Sequence, residues 1–320
     1  MRRKATTTSR HGAFPVLHAS VLTALYCGAV FWLGSSALAA PPTSHSVTPA
    51  QAAAQRKLET SELQAEGLLD DDTAASTAPA PRGAAGHPDF SGFWKGSKAT
   101  KPVGNIGKDL PGFKLPLTPA GEAALKRNLT KSVDPESRCL IGGIPRHDAS
   151  ALPFSIVQNK DHVTWLYMYT YFRSVPFDVR KHEEDPDPRY FGDEIGWWEG
   201  DIFVIDSVGF KSTNMWIDEN GNPQSDALHA VERWTRPDAG HIHVDVTITD
   251  PKYYLHPFTY ARTWIAGNPT GGSREYVCSE NNTDLKHLGP GPGGIRADGT
   301  RGYDVAPLPD MPPSPDAYGK

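Results

Sequence analysis

From Asp89 to Lys286 apolar and polar residues alternate with a period of two, in runs of strand length separated by turn residues. Such alternation puts successive side chains on opposite faces of a sheet. Asp89–Gly96 opens the series. Pro153–Gln158, a turn at Asn159-Lys160-Asp161 and His162–Arg173 read as a first hairpin. Glu194–Trp198 and Ile202–Val208, joined by Glu199-Gly200-Asp201, read as a second. Ala227–Thr235 and His241–Thr249, joined across Arg236–Gly240, read as a third; Pro257–Ile265 and Ser273–Glu280 follow. A 3.6-residue pattern occurs at Leu117–Leu129, where Thr118 sits at the cap and Pro119 in the first turn. About nine short-linked strands and one helix predict a mainly β domain, an antiparallel barrel of about 8–10 strands. A barrel of that size is just wide enough for a small ligand.

Outside this domain the pattern stops. Residues 1–39 carry Arg2, Arg3, Lys4 and Arg10, an apolar run and Ala37-Leu38-Ala39, the layout of a cleaved signal peptide. Residues 40–88 are rich in Ala, Pro, Ser and Thr and predict a disordered linker; residues 288–320 form a Gly/Pro-rich tail. The domain itself spans 89–287. The predicted location is periplasmic or secreted, with no membrane attachment after cleavage.

Charge narrows the partners. The chain holds 32 Lys+Arg and 37 Asp+Glu, and the first 39 residues take four of the basic ones, leaving 28 against 37. A net of −9 without a basic run argues against nucleic acid. Two cysteines remain after cleavage, Cys139 and Cys278, which suits one disulfide in an exported protein.

Gly92-Phe93-Trp94 on the first strand resembles the opening motif of lipocalins, with Arg262 as the candidate cation over Trp94. A broader resemblance covers nearly the whole domain. Gly196-Trp197-Trp198-Glu199-Gly200-Asp201, then Val204-Ile205-Asp206 with Gly209-Phe210, then Leu228-His229 with Glu232-Arg233 resemble a widespread family of secreted bacterial lipocalin-like proteins. Leu117–Gly121, Cys139–Arg146 and Glu275–Asn281 fit the same pattern. The resemblance implies one β-rich lipocalin-like domain and brings no activity with it.

Candidate chemistry follows from which faces polar residues share. Asp206 lies on the face of Ile202 and Val204, and His229 on that of Val231 and Arg233. Glu232 faces the other way, with Ala230 and Trp234. His229 therefore needs a carboxylate from a neighbouring strand, Asp206 or Asp193, to work as an acid/base. The competing reading is a buried ion network, Arg233 with a carboxylate, that holds register. Arg146, at the end of a glycine-containing loop, is the candidate holder of an anionic ligand group. Trp165, Tyr167, Tyr169 and Tyr171, ending at Arg173, would form one aromatic face, and Phe258, Tyr260, Arg262 and Trp264 another; Trp198 is one of a tryptophan pair on opposite faces. These faces line a pocket or fill a core. His241, His243 and Asp245 share a face but lack a further in-register ligand, so no metal is expected. Neither a nucleophile elbow nor a nucleotide loop is present, so no cofactor is expected. The expectation is a binding protein for a small, partly aromatic or apolar organic ligand. The alternative is a cofactor-free lyase, isomerase or hydrolase working through a His–carboxylate acid/base pair in the barrel, His229 with Asp206 or Asp193.

Overall fold

A computed structural model describes residues 69–70, 75–97, 106–110, 114–150, 152–168, 171–178, 181–268, 277–280 and 291. The strands are β1 (Leu69–Asp70), β2 (Gly92–Ser97), β3 (Phe154–Gln158), β4 (His162–Tyr167), β5 (Phe172–Pro176), β6 (Asp193–Glu199), β7 (Ile202–Val208), β8 (His229–Thr235), β9 (His241–Thr249) and β10 (Phe258–Ala266). The helices are α1 (Pro119–Lys131) and α2 (Arg146–Ala149). The sheet order is β5-β4-β3-β2-β10-β9-β8-β7-β6, and the short β1 pairs in parallel with β2. β2 to β10 are antiparallel neighbours throughout and curl into a nearly closed barrel. β5 and β6, the two ends of the order, meet across a seam.

The alternation read from sequence is the burial pattern observed. Ile242, Val244, Val246 and Ile248 of β9 all point inward and are completely buried. Gly200 takes a positive φ of 61° in the tight turn between β6 and β7, a conformation that suits a residue without Cβ. The Thr118 hydroxyl accepts from the Gly121 N–H and so caps α1. Leu125 and Leu129 of that helix join the main core. Cys139 and Cys278 are joined by a disulfide across 139 residues. The loop-entropy ceiling for such a link is about 5 kcal/mol.

The barrel interior is a packed core. Trp234 lies 5.6 Å from Trp264 and 5.3 Å from Trp165, and Phe154 lies 5.1 Å from Trp264. Trp165 of β4 and Trp264 of β10 thus pack on the same ring, Trp234 of β8. Tyr260 and Arg262 reach the end of the interior, where they donate to the carbonyls of Pro145 and Ala149 and hold α2 over it.

Three expectations change. His162–Arg173 is not one strand: the chain folds back, the Tyr167 N–H donates to the Tyr171 carbonyl, and Arg173 lies opposite Trp165. Residues 75–88 lie against the barrel despite their linker-like composition: Ala239 N–H donates to Ala78, Arg82 pairs with Asp201, and His87 stacks on Trp198 at 4.4 Å. The cation over Trp94 is Arg236, at 4.9 Å, because the turn after β8 passes closer to this ring than the β10 site that suggested Arg262. Ser273–Tyr276 of the last expected strand lie outside the described residues, and Cys278–Glu280 form a turn.

Candidate functional site

The seam exists because β5 and β6 approach at one end and part at the other. A Cβ on Gly196 would sit 2.8 Å from the Pro176 carbonyl oxygen and 2.9 Å from the Val175 side chain, so only glycine allows this approach. Pro176 has no N–H to give to a ladder there. Toward Phe172 and Asp193 a groove of about 770 Å³ opens. Its walls are β5, the start of β6 and the segment Pro188–Gly192, with Tyr171, Phe172, Tyr190 and Phe191 as aromatic lining and Arg189, Asp193, Glu194 and Lys211 as charged lining. The His147 ring, completely buried, backs this wall at 5.3 Å from Tyr171 and 5.9 Å from Phe191. Burial, with Arg146 and Arg173 nearby, pushes His147 down to about 3, so it serves as a neutral packing ring.

On the inner side of the seam Arg173 is fully buried among carboxylates. It grips Glu232 with two parallel hydrogen bonds of 3.0 and 2.5 Å, and its Nε donates to Glu194 at 2.5 Å. The guanidinium also lies 4.8 Å from the Trp165 ring centre and 3.7 Å from Asp148. Trp234 donates to Glu232 at 2.8 Å. Burial and the neighbouring Glu232 push Asp148 well above the ordinary carboxylate value. Burial, offset by Arg173 and reinforced by Glu232, brings Glu194 to about 7.

On the outer side lies a second polar set. His229 Nε2 is 2.9 Å from Asp206 Oδ1, and His182 Nε2 is 2.9 Å from the same oxygen. His182 Nδ1 is 2.9 Å from Asp193 Oδ2, which also accepts from the Glu183 N–H. Arg189 reaches Asp193 at 3.5 Å and Glu183 at 2.9 Å. Burial works upward on Asp206, but the two imidazoles outweigh it and hold the group below its ordinary value. The hydrogen bond that His229 donates to Asp206 raises His229. This is an imidazole–carboxylate chain, capable of holding and passing protons.

The three sequence candidates for acid/base work are thus brought together, with His182 as the link between Asp206 and Asp193. They stand on the outer face, whereas the alternative reading placed the pair inside the barrel; the pleat sends His229 and Asp206 outward when Glu232 and Ser207 point in. The buried ion network forms around Arg173 and Glu232. Arg233 is exposed and pairs with Glu199 at 2.7 Å.

Arg146 is the clearest correction. It is buried against Asp134 at 2.9 Å and Glu136 at 2.8 Å, with Trp216 beside it, and its guanidinium is used up in the fold. Trp198 packs inward on Phe203 and Phe90, and Trp197 faces out to donate to Glu199. Tyr171 lines the groove, Tyr260 is core, and Tyr169 lies outside the described residues. His241 and His243 bond to Asp238 and Thr263. Among the described residues no three His, Cys, Asp or Glu side chains group as a metal site, and no helix is long and apolar enough to cross a membrane.

His182, Glu194 and Asp148 were not singled out by sequence. His182 and Asp148 sit in segments without periodicity, so nothing local marks them. Glu194 had a signal: it shares the inner face of β6 with Gly196 and Trp198. No family model, curated protein or solved structure matches the chain.

Proposed function

We propose that the protein is an exported carrier for a small organic anion with an aromatic or apolar body, bound in the groove at the β5–β6 seam. One observation carries this reading: the groove joins exposed aromatic surface to a cation that no carboxylate neutralises among the described residues. Phe172 is 66% exposed, and the Lys211 ammonium lies 4.9 Å from the centre of the Tyr190 ring. The volume falls in the usual range of ligand sites, about 300–1,000 Å³. Lys211 replaces Arg146 as the residue for an anionic group. The disulfide and the apolar leader support export. The string from Gly196 to Arg233 supports membership of the secreted lipocalin-like family.

The test is titration of the mature, oxidised protein with benzoate-type acids, followed by tryptophan fluorescence. Saturable binding weakened about tenfold by Lys211→Ala supports the reading. Absent binding, or binding indifferent to Lys211 and Tyr171, overturns it.

A second reading, cofactor-free acid/base catalysis, is favoured by one geometric fact: the chain from His229 ends at Asp193, which lines the groove. On this reading His229 exchanges protons with solvent and Asp193 presents the other end to a substrate. His229→Ala would then abolish turnover of a groove ligand without unfolding the barrel. Turnover that survives the change removes His229 from the mechanism.

A further inference from the structure

Glu194 has two neighbours that are easily passed over. Directly across the β6–β7 ladder, on the same inner face, stands Ser207. Ser207 is completely buried, and its Oγ has no hydrogen-bond partner among the described residues. A buried hydroxyl in that state costs free energy. The hydroxyl of Tyr167, near Arg173, has no hydrogen-bond partner of standard geometry among the described residues either. Glu194 spends Oε1 on Arg173 Nε and keeps Oε2 without a partner among the described residues. It lines the groove and retains 9% side-chain exposure.

Around Glu194 the charges are Arg173 from β5, Glu232 from β8, Asp148 from α2 and Asp193 beside it on β6. Arg173 is already matched by Glu232, and burial beside Glu232 pushes Asp148 upward, toward its neutral form. An ionised Glu194 is therefore the surplus negative charge at this spot, and it calls for a donor.

We propose that Glu194 is the polar end of the groove, a subsite for a hydroxyl or amine group on the bound ligand, with Ser207 buried behind it across the ladder. The ligand's O–H or N–H donates to Glu194 Oε2, and the otherwise unpartnered Ser207 hydroxyl positions that carboxylate. This rests on the groove reading above and adds a selectivity to it: of two otherwise equal aromatic acids, the one with a donor opposite its carboxylate binds better. Because burial holds Glu194 at about 7, the preference strengthens as pH rises past neutrality and the carboxyl ionises.

The experiment is calorimetric titration of the mature, oxidised protein with 4-hydroxybenzoate and 4-methoxybenzoate at pH 6 and pH 8. Both probes carry the anion and the ring; one has the donor. The wild type is expected to favour the hydroxy acid by about tenfold or more at pH 8 and by less at pH 6. Glu194→Gln should remove the pH dependence, and Ser207→Ala should reduce the preference with the Glu194 titration intact. The methoxy acid, measured on each variant, gives the effect on the groove itself, so the preference is read as the ratio of the two affinities. If both acids bind the wild type equally, or the preference survives both substitutions, the subsite is wrong and the groove reading stands. If neither acid binds, the groove reading falls and takes the subsite with it.

Discussion

β6 separates two polar sets built from similar residues in opposite settings. On its inner face, the Arg173 set is held in a medium that excludes water, and its side chain is fully buried. On its outer face, the His229 set is half in solvent: His229 keeps 40% side-chain exposure, and Asp206 and His182 keep 22% each. Adjacent residues, Glu194 and Asp193, belong to different sets only because the pleat turns them to opposite sides. Chemistry follows the setting. The inner carboxyls move up, toward neutrality; the outer carboxylate Asp206 moves down and its imidazole up, toward a charged pair.

The largest expected effect tests that difference. Arg173→Met strands Glu232 and Glu194 without their counter-charge and should cost about 3–5 kcal/mol in urea unfolding. Adding Glu232→Met should recover much of it, since an apolar pair of similar volume fits the surrounding tryptophans. A loss under about 1 kcal/mol for the single change would mean the inner set is wet, and the contrast would collapse.

The wall between the sets gives the next test. Gly196→Val places a side chain against Phe203, Val175 and the Pro176 carbonyl, all within 3 Å of its Cβ. Overpacking of this kind costs about 1–3 kcal/mol, read as a lowered thermal midpoint. It should also pry β5 from β6 and alter the groove. A midpoint unchanged from wild type would show that the seam is looser than its spacing indicates.

The inner set also predicts a pH slope. Glu194 binds its proton more tightly folded than unfolded. Its contribution to stability is therefore greatest below the unfolded carboxyl value and is lost as pH rises through about 7. Glu194→Gln should flatten this part of the stability–pH curve. If the curve keeps its slope between pH 5 and 8, Glu194 is ionised in the fold at ordinary values.

How much of this contrast was legible follows the physics. Period-two burial depends on local sequence, so the hairpins carrying Asp206, His229 and Glu232, and the faces of all three, could be read directly. The cap at Thr118 was equally local. The bond from Tyr167 back to Tyr171 was hidden because the sequence between them, Met168-Tyr169-Thr170, holds none of the usual turn residues, and that single miss misplaced Arg173 at the end of a strand it does not share with Trp165. Arg146 reads as a loop arginine; only tertiary packing buries it with Asp134. His182 lies among charged loop residues whose position over β6 and β7 is a long-range fact. The seam is a property of two strands that are separate in sequence, β5 ending at Pro176 and β6 starting at Asp193, and no pattern within either strand announces it.

The smallest effect isolates the outer set. Asp206→Asn removes the charge between His229 and His182 at a partly exposed place, where such pairs contribute about 1 kcal/mol or less. Unfolding will scarcely register it; the imidazole titration will. In the wild type the hydrogen bond to Asp206 raises His229, so its charged form persists to a higher pH than an ordinary histidine's. The pair's contribution is therefore present above the unfolded value of Asp206 and below that of His229. It fades as pH falls through the lowered Asp206 value or rises through the raised His229 value. In Asp206→Asn the NMR midpoint of His229 should move down, while the Glu194-dependent slope of stability stays in place. A shift of both together would mean that β6 transmits charge between its faces; a shift of neither would mean that Asp206 does not hold His229 in solution.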